Sequence, residues 1–255
     1  MIEPLRIIIP VIGLFVGSFA NVLIYRIPRG EEWVVTPSHC VHCGRRLGPL
    51  ELIPVLSWLF LRGRCRGCGG RISARYPVVE LLNGALWYLC VRAVGLTAFL
   101  VPALALVTAL LVASFIDIDT QEIPNGVTIF ILIVAVLWNV YAAFEGYGVL
   151  LQNVVGFFTA SGILLVLAII SRGGVGGGDI KLIAACGLLL GWKNMLLTLA
   201  AASILGVLVM VPVFLIKRLR RGTPIPFGPF LAAGMVISML YGEAIVGAYL
   251  RIFLP

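Results

Sequence analysis

Long runs of apolar residues are the feature that most constrains how this chain can fold. Roughly 20 mainly apolar residues cross the hydrocarbon core of a bilayer, and such runs recur along the whole sequence. Hydrophobic residues make up 61% of the 255 residues, and charged residues only 12%. The pattern predicts an all-α polytopic membrane protein with about eight transmembrane helices, at roughly 5–25, 77–95, 97–116, 126–144, 149–171, 180–192, 195–216 and 228–250. The first run lacks a basic leader and a small-residue cleavage site, so we expect it to be retained.

Basic residues are distributed unevenly between the loops that these spans predict. If the spans alternate across the bilayer, fifteen of the 19 Lys and Arg residues fall on one side. They include nine Arg within 26–76 and four basic residues within 217–221. Because basic loops stay in the cytoplasm, we expect the N-terminus outside and segment 26–76 inside. The net charge of +8 then reflects this asymmetry and attraction to anionic headgroups, and it does not require a nucleic-acid partner.

The segment between the first two spans carries a repeated cysteine motif. Each half reads C-x-x-C-G, with Cys40 and Cys43 in the first and Cys65 and Cys68 in the second. Two such pairs on tight turns supply the four thiolates of a tetrahedral structural zinc site, and the arginines around them favour the thiolate form. A redox role for the pairs is the alternative, although disulfides are uncommon in the cytoplasm. We expect a structural Zn²⁺ with no open position for catalysis.

Four further side chains of metal-binding type are expected to stay outside this site. His39 and His42 flank the first pair, and either could replace a sulfur as ligand, but four cysteines already complete a structural site. Cys90 and Cys186 lie inside predicted spans, where a thiol is typical of small apolar packing residues.

Carboxylates occur in two stretches beside predicted spans. Asp117 and Asp119 close the third span and Asp179 opens the sixth, so the alternation of spans places all three at the cytoplasmic face. An ionisable group at membrane depth is costly and indicates function. Two carboxylates that share a proton can activate water and polarise a carbonyl without a nucleophilic side chain or a catalytic metal. Because neither G-x-S-x-G nor H-E-x-x-H occurs, the pattern predicts peptide-bond hydrolysis by a split pair of aspartates.

Five glycines precede Asp179, within 173–178. Glycine lets another backbone approach closely, so the loop could admit an extended substrate or let the aspartate move. A phosphate-binding loop is one alternative, but G-x-x-x-x-G-K-[ST] is absent and a carboxylate would repel phosphate. A plain loop in which the aspartate complements a helix dipole is the other. The residues expected to support the site are Gly176, Gly177, Gly178 and Lys181.

The order of these motifs resembles the prepilin peptidases, or type IV leader peptidases, of the GxGD aspartic protease class. The match runs through Gly17-Ser18-Phe19-Ala20-Asn21-Val22, the cysteine pairs, Tyr76-Pro77-Val78-Val79-Glu80-Leu81-Leu82, Asp117 seven residues before Pro124, and Gly176-Gly177-Gly178-Asp179-Ile180-Lys181. The resemblance implies that Asp117 and Asp179 are the catalytic pair, with Asp117 preferred to Asp119. It also implies a division into a first transmembrane helix at 1–25, a cytoplasmic zinc-binding segment at 26–76 and a transmembrane peptidase core at 77–255.

The resemblance has further implications for substrates and cofactors. Enzymes of this family remove the short basic leader of type IV prepilins and related pseudopilins, cutting after a Gly at the cytoplasmic face of the inner membrane. Many members with the cysteine segment also methylate the new N-terminal amine with S-adenosylmethionine. Glu80 and the Arg-rich segment are candidates for that second site, and neutralisation of an arginine near the second span is the structural alternative for Glu80. The expected partners are a prepilin or pseudopilin and the lipid bilayer, with no nucleic acid.

Two hypotheses from other classes stay open at this point. Intramembrane carboxylates also relay protons in transporters, although transporter sites usually lie near the bilayer midplane and these aspartates are predicted at one edge. A membrane-anchored zinc module whose Arg-rich segment contacts nucleic acid is the other, and it would leave the aspartates unexplained.

Overall fold

The structure, a computed structural model, describes residues 2–217 and 226–253. This part of the chain is almost entirely helical and contains no named strand, and seven of its helices are long and apolar enough to cross a membrane. The predicted all-α membrane architecture is therefore confirmed. Arg218, Arg220 and Arg221 were counted in predicting the orientation, and they lie outside the described residues. The α-helices are α1 Ile2–Arg26, α2 Leu56–Phe60, α3 Arg75–Val94, α4 Leu100–Thr120, α5 Asn125–Phe144, α6 Leu150–Ile170, α7 Gly177–Lys217 and α8 Gly228–Phe253.

The longest helix, α7, is divided by a break at Gly191. Its backbone there has φ 77° and ψ 166°, which a residue with a side chain rarely adopts. The break lies between the spans predicted at 180–192 and 195–216, so the eight predicted spans correspond to seven helices of which one is interrupted. The side chain of Asn139 in α5 donates a 2.7 Å hydrogen bond to the carbonyl of Leu188. Such a partner matters because a freed backbone group inside a bilayer has no water to bond.

The chain forms two compact units, Met1–Leu100 and Val101–Pro255. In the first unit α1 packs closely on α3 through small residues. A Cβ on Gly17 would lie 2.8 Å from the Cα of Glu80, so only glycine permits this approach. The side chain of Asn83 also donates a 2.7 Å hydrogen bond to the carbonyl of Gly13. Gly13 and Gly17 are spaced as in the G-x-x-x-G pattern of helix pairs in membranes.

In the second unit, backbone contact at two glycines joins α6 to α7. A Cβ on Gly156 would overlap the carbonyl oxygen of Gly187, and a Cβ on Gly187 would overlap that of Gly156. Helix α7 is joined to α8 by a 2.8 Å hydrogen bond between the hydroxyls of Thr198 and Ser238. Helix association inside a bilayer depends on such close packing and on interhelical hydrogen bonds, because lipid tails are as apolar as the helices.

Replacing Gly156 with Ala is expected to destabilise the second unit by about 1–3 kcal/mol, because the new methyl group meets backbone atoms that cannot rotate away. Gly162→Ala is the matched control on the same helix, since a Cβ there meets nothing within 4 Å. Thermal unfolding of the two detergent-solubilised variants measures the difference. Equal stability of the variants would show that α6 and α7 do not pack as described.

Candidate functional site

The two aspartates predicted to pair come from different helices and line one cavity. Asp117 lies in the last turn of α4 and Asp179 in the first turn of α7, with exposures of only 5% and 9%. They share the wall of a cavity of about 280 Å³ with the three-glycine stretch 176–178. Asp119 is exposed and does not line this cavity. The geometry therefore separates the two neighbouring aspartates of α4 by burial.

The carboxylate of Asp117 is held by the beginning of another helix. The backbone N–H of Gly228, the first residue of α8, donates a 2.9 Å hydrogen bond to Asp117 Oδ2. A carboxylate at a helix C-terminus is electrostatically disfavoured, whereas one at a helix N-terminus is stabilised. The start of α8 thus stabilises the Asp117 carboxylate, which the end of α4 alone would disfavour.

The sequence analysis did not single out Gly228, because the stretch beyond Gly191 shows little pattern except hydrophobicity. A Cβ on Gly228 would lie 2.8 Å from Asp117 Oδ2, so the residue must be small for the contact to form. The signal that could have found it is Pro226-Phe227-Gly228-Pro229 at the start of an apolar run, since Pro and Gly together mark a helix beginning.

The glycines before Asp179 matter through their lack of a side chain. A Cβ on Gly176 would lie 3.2 Å from Asp179 Oδ2, and a Cβ on Gly178 would lie 3.0 Å from Cβ of Ile123. A Cβ on Gly177 would meet nothing within 4 Å. None of the three has a positive φ, so close approach, and not an unusual backbone angle, explains the first and last of them.

Two further cavity residues fix the ends of the helices. The ammonium of Lys181, predicted to support the site, donates a 3.2 Å hydrogen bond to Asn125 Oδ1. Both residues line the cavity, so the first turns of α5 and α7 are tied together beside it. Asp179, in the first turn of α7, also has the placement expected for a residue that complements the helix dipole. That local role is compatible with a place in the cavity.

The cysteine segment contains two turns with the same hydrogen-bond pattern. The N–H of Gly44 donates to the carbonyl of Cys40 at 2.8 Å, and the N–H of Gly69 donates to that of Cys65 at 2.9 Å. Both glycines have φ 69°, the left-handed conformation that glycine adopts without strain. The repeated C-x-x-C-G sequence thus folds twice into one local structure, as predicted.

The two turns bring their thiols together. The sulfur atoms of Cys40, Cys43, Cys65 and Cys68 all lie within 4.8 Å of one another, and the Cys40 and Cys68 sulfurs are 3.9 Å apart. Tetrahedral zinc with Zn–S bonds of about 2.3 Å separates its sulfur ligands by roughly 3.8 Å. Four thiols at this spacing fit such an ion, so the cluster could hold a metal.

Backbone amides supply much of the electrostatic support for the cluster. The N–H groups of Cys68 and Gly67 hold the pKa of the Cys65 thiol at about 6, below its ordinary value, which favours the metal-binding thiolate. Arg45 interacts with the Cys65 sulfur, as expected, and its guanidinium also forms a 2.5 Å ion pair with Glu51. Hydrogen bonds from these backbone N–H groups therefore contribute most to lowering the pKa of the Cys65 thiol.

The histidines beside the cluster bond elsewhere. His42 Nε2 lies 3.0 Å from the carbonyl oxygen of Arg71, and His39 Nδ1 lies 3.4 Å from that of Pro37. Neither belongs to the four-residue group of potential ligands among the described residues. Their contacts agree with the expectation that the cysteines alone form the site.

Glu80 lies in a second cavity, within the first unit. Its side chain is buried at 7% exposure, and Oε2 accepts a 2.7 Å hydrogen bond from the N–H of Val55. The cavity has a volume of about 390 Å³ and also includes Cys40 and Cys65 in its lining. The candidate for the second activity thus lines the same cavity as two cysteines of the cluster.

Comparison with known proteins shows the same two-part organisation. Residues 11–94 match the Bacterial Peptidase A24 N-terminal domain, and residues 104–211 match the Type IV leader peptidase family. No solved structure is significantly similar to the chain.

Curated relatives cover nearly the whole chain. A protein of Bacillus subtilis (strain 168) is 36% identical, covering 96% of this chain and 97% of its own length. One of Aeromonas hydrophila is 34% identical, with coverages of 95% and 92%, and one of Dichelobacter nodosus is 36% identical, with 92% of each chain covered. All three are named prepilin leader peptidase/N-methyltransferase, and these names give no support to the transporter hypothesis. The chain belongs to the type IV leader peptidase family.

Proposed function

We propose that this protein is an intramembrane aspartic endopeptidase that removes the leader from type IV prepilins or pseudopilins, with Asp117 and Asp179 as the catalytic pair. The observation that carries the proposal is the shared cavity. Two buried carboxylates, from helix ends 62 positions apart in the numbering, meet in one wall beside the glycine stretch. The family assignment supplies the substrate class.

The pair hydrolyses a peptide bond by exchanging protons with water. Two carboxylates in one buried site cannot both ionise easily, so the pair holds one proton. The ionised member takes a proton from a water molecule as the oxygen attacks the scissile carbonyl, and the protonated member donates its proton to the carbonyl oxygen. When the C–N bond breaks, a proton passes to the leaving amine and the carbonyl reforms as a carboxyl group. The N–H of Gly228 orients Asp117 throughout these steps.

The glycine stretch gives the substrate backbone access to the pair. The cavity is lined by backbone at 176–178, and the side of Gly177 is open. An extended peptide can therefore lie against this stretch without meeting a side chain. A prepilin offers such a segment between its basic leader and its apolar helix, which would occupy the bilayer beside the spans.

The orientation of the chain supports cleavage at the cytoplasmic side of the inner membrane. The nine Arg within 26–76 place that segment in the cytoplasm by the positive-inside rule, and the N-terminus outside. Counting helices from there puts the end of α4 and the start of α7 on the same side as the basic segment. The peptidase core then lies within 77–255.

We assign the four-cysteine cluster to a structural Zn²⁺. The donor set is four thiols, the spacing suits a tetrahedron, and a four-thiolate zinc site has no open position for water. Binding the ion would join the two turns of segment 26–76, which has little helix of its own.

Changing Cys40 and Cys65 together to Ser is expected to remove about one zinc per chain, because two of the four thiolate ligands are lost. Elemental analysis of the purified protein measures the metal, and limited proteolysis measures exposure of segment 26–76. Cys186→Ala is the matched control, since that buried thiol lies in α7, outside the cluster. Unchanged zinc in the double variant would contradict the assignment.

We further propose that the protein methylates the new N-terminal amine of its product with S-adenosylmethionine. The names of the relatives support this second activity. The first unit, with its own cavity and cysteine cluster, is the part of the chain to which we assign it.

Co-expression with a candidate prepilin tests both activities in one experiment. Mass measurement of the pilin N-terminus is expected to show loss of the leader and the added mass of one methyl group. A pilin that keeps its leader would contradict the peptidase proposal, whereas a cleaved and unmethylated pilin would contradict only the methylation proposal. Parallel expression of a pseudopilin identifies the preferred substrate.

A further inference from the structure

The cavity in the first unit has the size of a small-molecule site. Its volume of about 390 Å³ falls within the roughly 300–1,000 Å³ of typical ligand cavities. The end of α1, the cysteine segment, α2 and the start of α3 all contribute to its lining. The cavity therefore depends on the fold of the cysteine segment.

One wall carries a buried carboxyl group that has no ionic partner. Glu80 forms hydrogen bonds with the N–H of Val55 and with Ser18, and no cation forms an ion pair with it among residues 2–217 and 226–253. An unpaired carboxylate at 7% exposure is costly to keep in a fold unless a ligand completes it. The cavity is thus prepared for a positively charged group.

The buried cation of the cavity is already engaged. Arg26, at 4% exposure, donates hydrogen bonds to the carbonyls of Glu32, Thr36 and Pro37 at 3.0, 2.7 and 3.1 Å. It fixes the loop after α1 and does not neutralise Glu80. Arg71 also lines the cavity but is exposed, so Glu80 is the buried carboxyl group of the described lining that lacks an ionic partner.

Aromatic side chains provide the other recognition element. Tyr25, Trp58 and Tyr76 line the cavity, but the Arg29 guanidinium covers one face of Tyr25 at 3.9 Å, which leaves Trp58 and Tyr76 for a ligand. Trp58 Nε1 donates a 3.1 Å hydrogen bond to the carbonyl of Ile72, which fixes the plane of its ring. Aromatic faces stack on planar bases and attract cations. A ligand with both a planar base and a positive charge would contact these rings and Glu80 at the same time.

We propose that this cavity is the binding site for the methyl donor, with Glu80 as the counter-ion of the donor's positive charge. S-adenosylmethionine combines a sulfonium cation, an ammonium group and a planar adenine, which match the unpaired carboxylate and the aromatic lining. The inference rests on the proposed methylation activity and gives it a location. The site lies wholly in the first unit and uses neither catalytic aspartate.

Equilibrium binding of radiolabelled S-adenosylmethionine to the purified full-length protein tests the role of Glu80. Glu80→Gln keeps an oxygen acceptor for the N–H of Val55 but loses the charge, and its Kd is expected to rise at least about tenfold. Glu31→Gln is the matched control, because it removes one negative charge from an exposed position outside the cavity and should leave Kd unchanged. Zinc content and thermal unfolding verify that both variants are folded. Equal Kd values for the wild type and Glu80→Gln would overturn the proposal.

Photochemical crosslinking of the same labelled donor to the wild-type protein locates the site directly. Label is expected in peptides from 18–26, 38–58 and 71–80, which border the cavity. Label confined to residues beyond Val101 would overturn the proposed location while leaving methylation intact. If the protein neither bound the methyl donor nor methylated the pilin, both this proposal and the proposed methylation activity would be wrong. The proposed leader cleavage would be unaffected.

Discussion

Replacing either Asp117 or Asp179 with Asn is expected to abolish leader cleavage, with a loss of at least about 10³-fold in rate. An amide can neither accept a proton from water nor donate one to the carbonyl oxygen in the way that a carboxyl group does. Because the proposed mechanism makes the two residues one unit that shares a proton, the double variant should be no less active than either single variant. Both side chains line the cavity at low exposure, so the isosteric change should leave its shape intact.

The assay uses purified protein and a prepilin substrate, with the fraction of cleaved substrate followed by mass. Asp119→Asn is the matched control, since it makes the same chemical change two residues away at an exposed position outside the cavity. It should retain most of the wild-type rate. Full loss of cleavage in Asp119→Asn together with full activity in Asp117→Asn would show that Asp119, and not Asp117, is the catalytic aspartate of α4. Cleavage by both Asp117→Asn and Asp179→Asn would show that the protein does not use the proposed pair of aspartates.

Features that repeat along the chain could be predicted from the sequence. Apolar runs of membrane length gave the helices, because burial in lipid requires a local excess of apolar residues. The two C-x-x-C-G motifs gave the cysteine cluster, because each motif forms its own turn before the two meet. The positions of Asp117 and Asp179 at span ends placed them at one face without any knowledge of packing.

Contacts between distant backbone segments could not be predicted in the same way. The packing of Gly156 on Gly187 depends on which faces of two apolar helices meet, and a uniformly apolar helix leaves no pattern to show its buried face. The bond from Gly228 to Asp117 joins residues 111 positions apart. Hydropathy along the chain carries no information about such pairs, so these glycines resembled ordinary membrane glycines.

Gly228→Ala is the second change for which we expect a large effect, a fall of about 100-fold in kcat, since displacing a catalytic group by about 1 Å can cost that much. The new Cβ would lie 2.8 Å from Oδ2 and 3.2 Å from Cγ of Asp117, closer than ordinary contact. The Asp117 side chain can rotate away at modest cost, so the protein should remain folded. The displaced carboxylate would lose both its hydrogen bond to the N–H and its alignment with Asp179.

Steady-state kinetics distinguishes this positioning role from a general loss of stability. We expect kcat to fall with little change in KM, because Gly228 contacts a carboxylate that we propose to be catalytic, whereas the proposed path of the substrate follows the glycine stretch 176–178. Gly247→Ala on the same helix is the matched control, as a Cβ there meets nothing within 4 Å, and it should keep the wild-type kcat. If Gly228→Ala lost activity only in proportion to its loss of folded protein, the residue would serve the packing of α8 alone. A selective fall in kcat would instead show that the start of α8 belongs to the catalytic apparatus, through an N–H group that holds Asp117 in place.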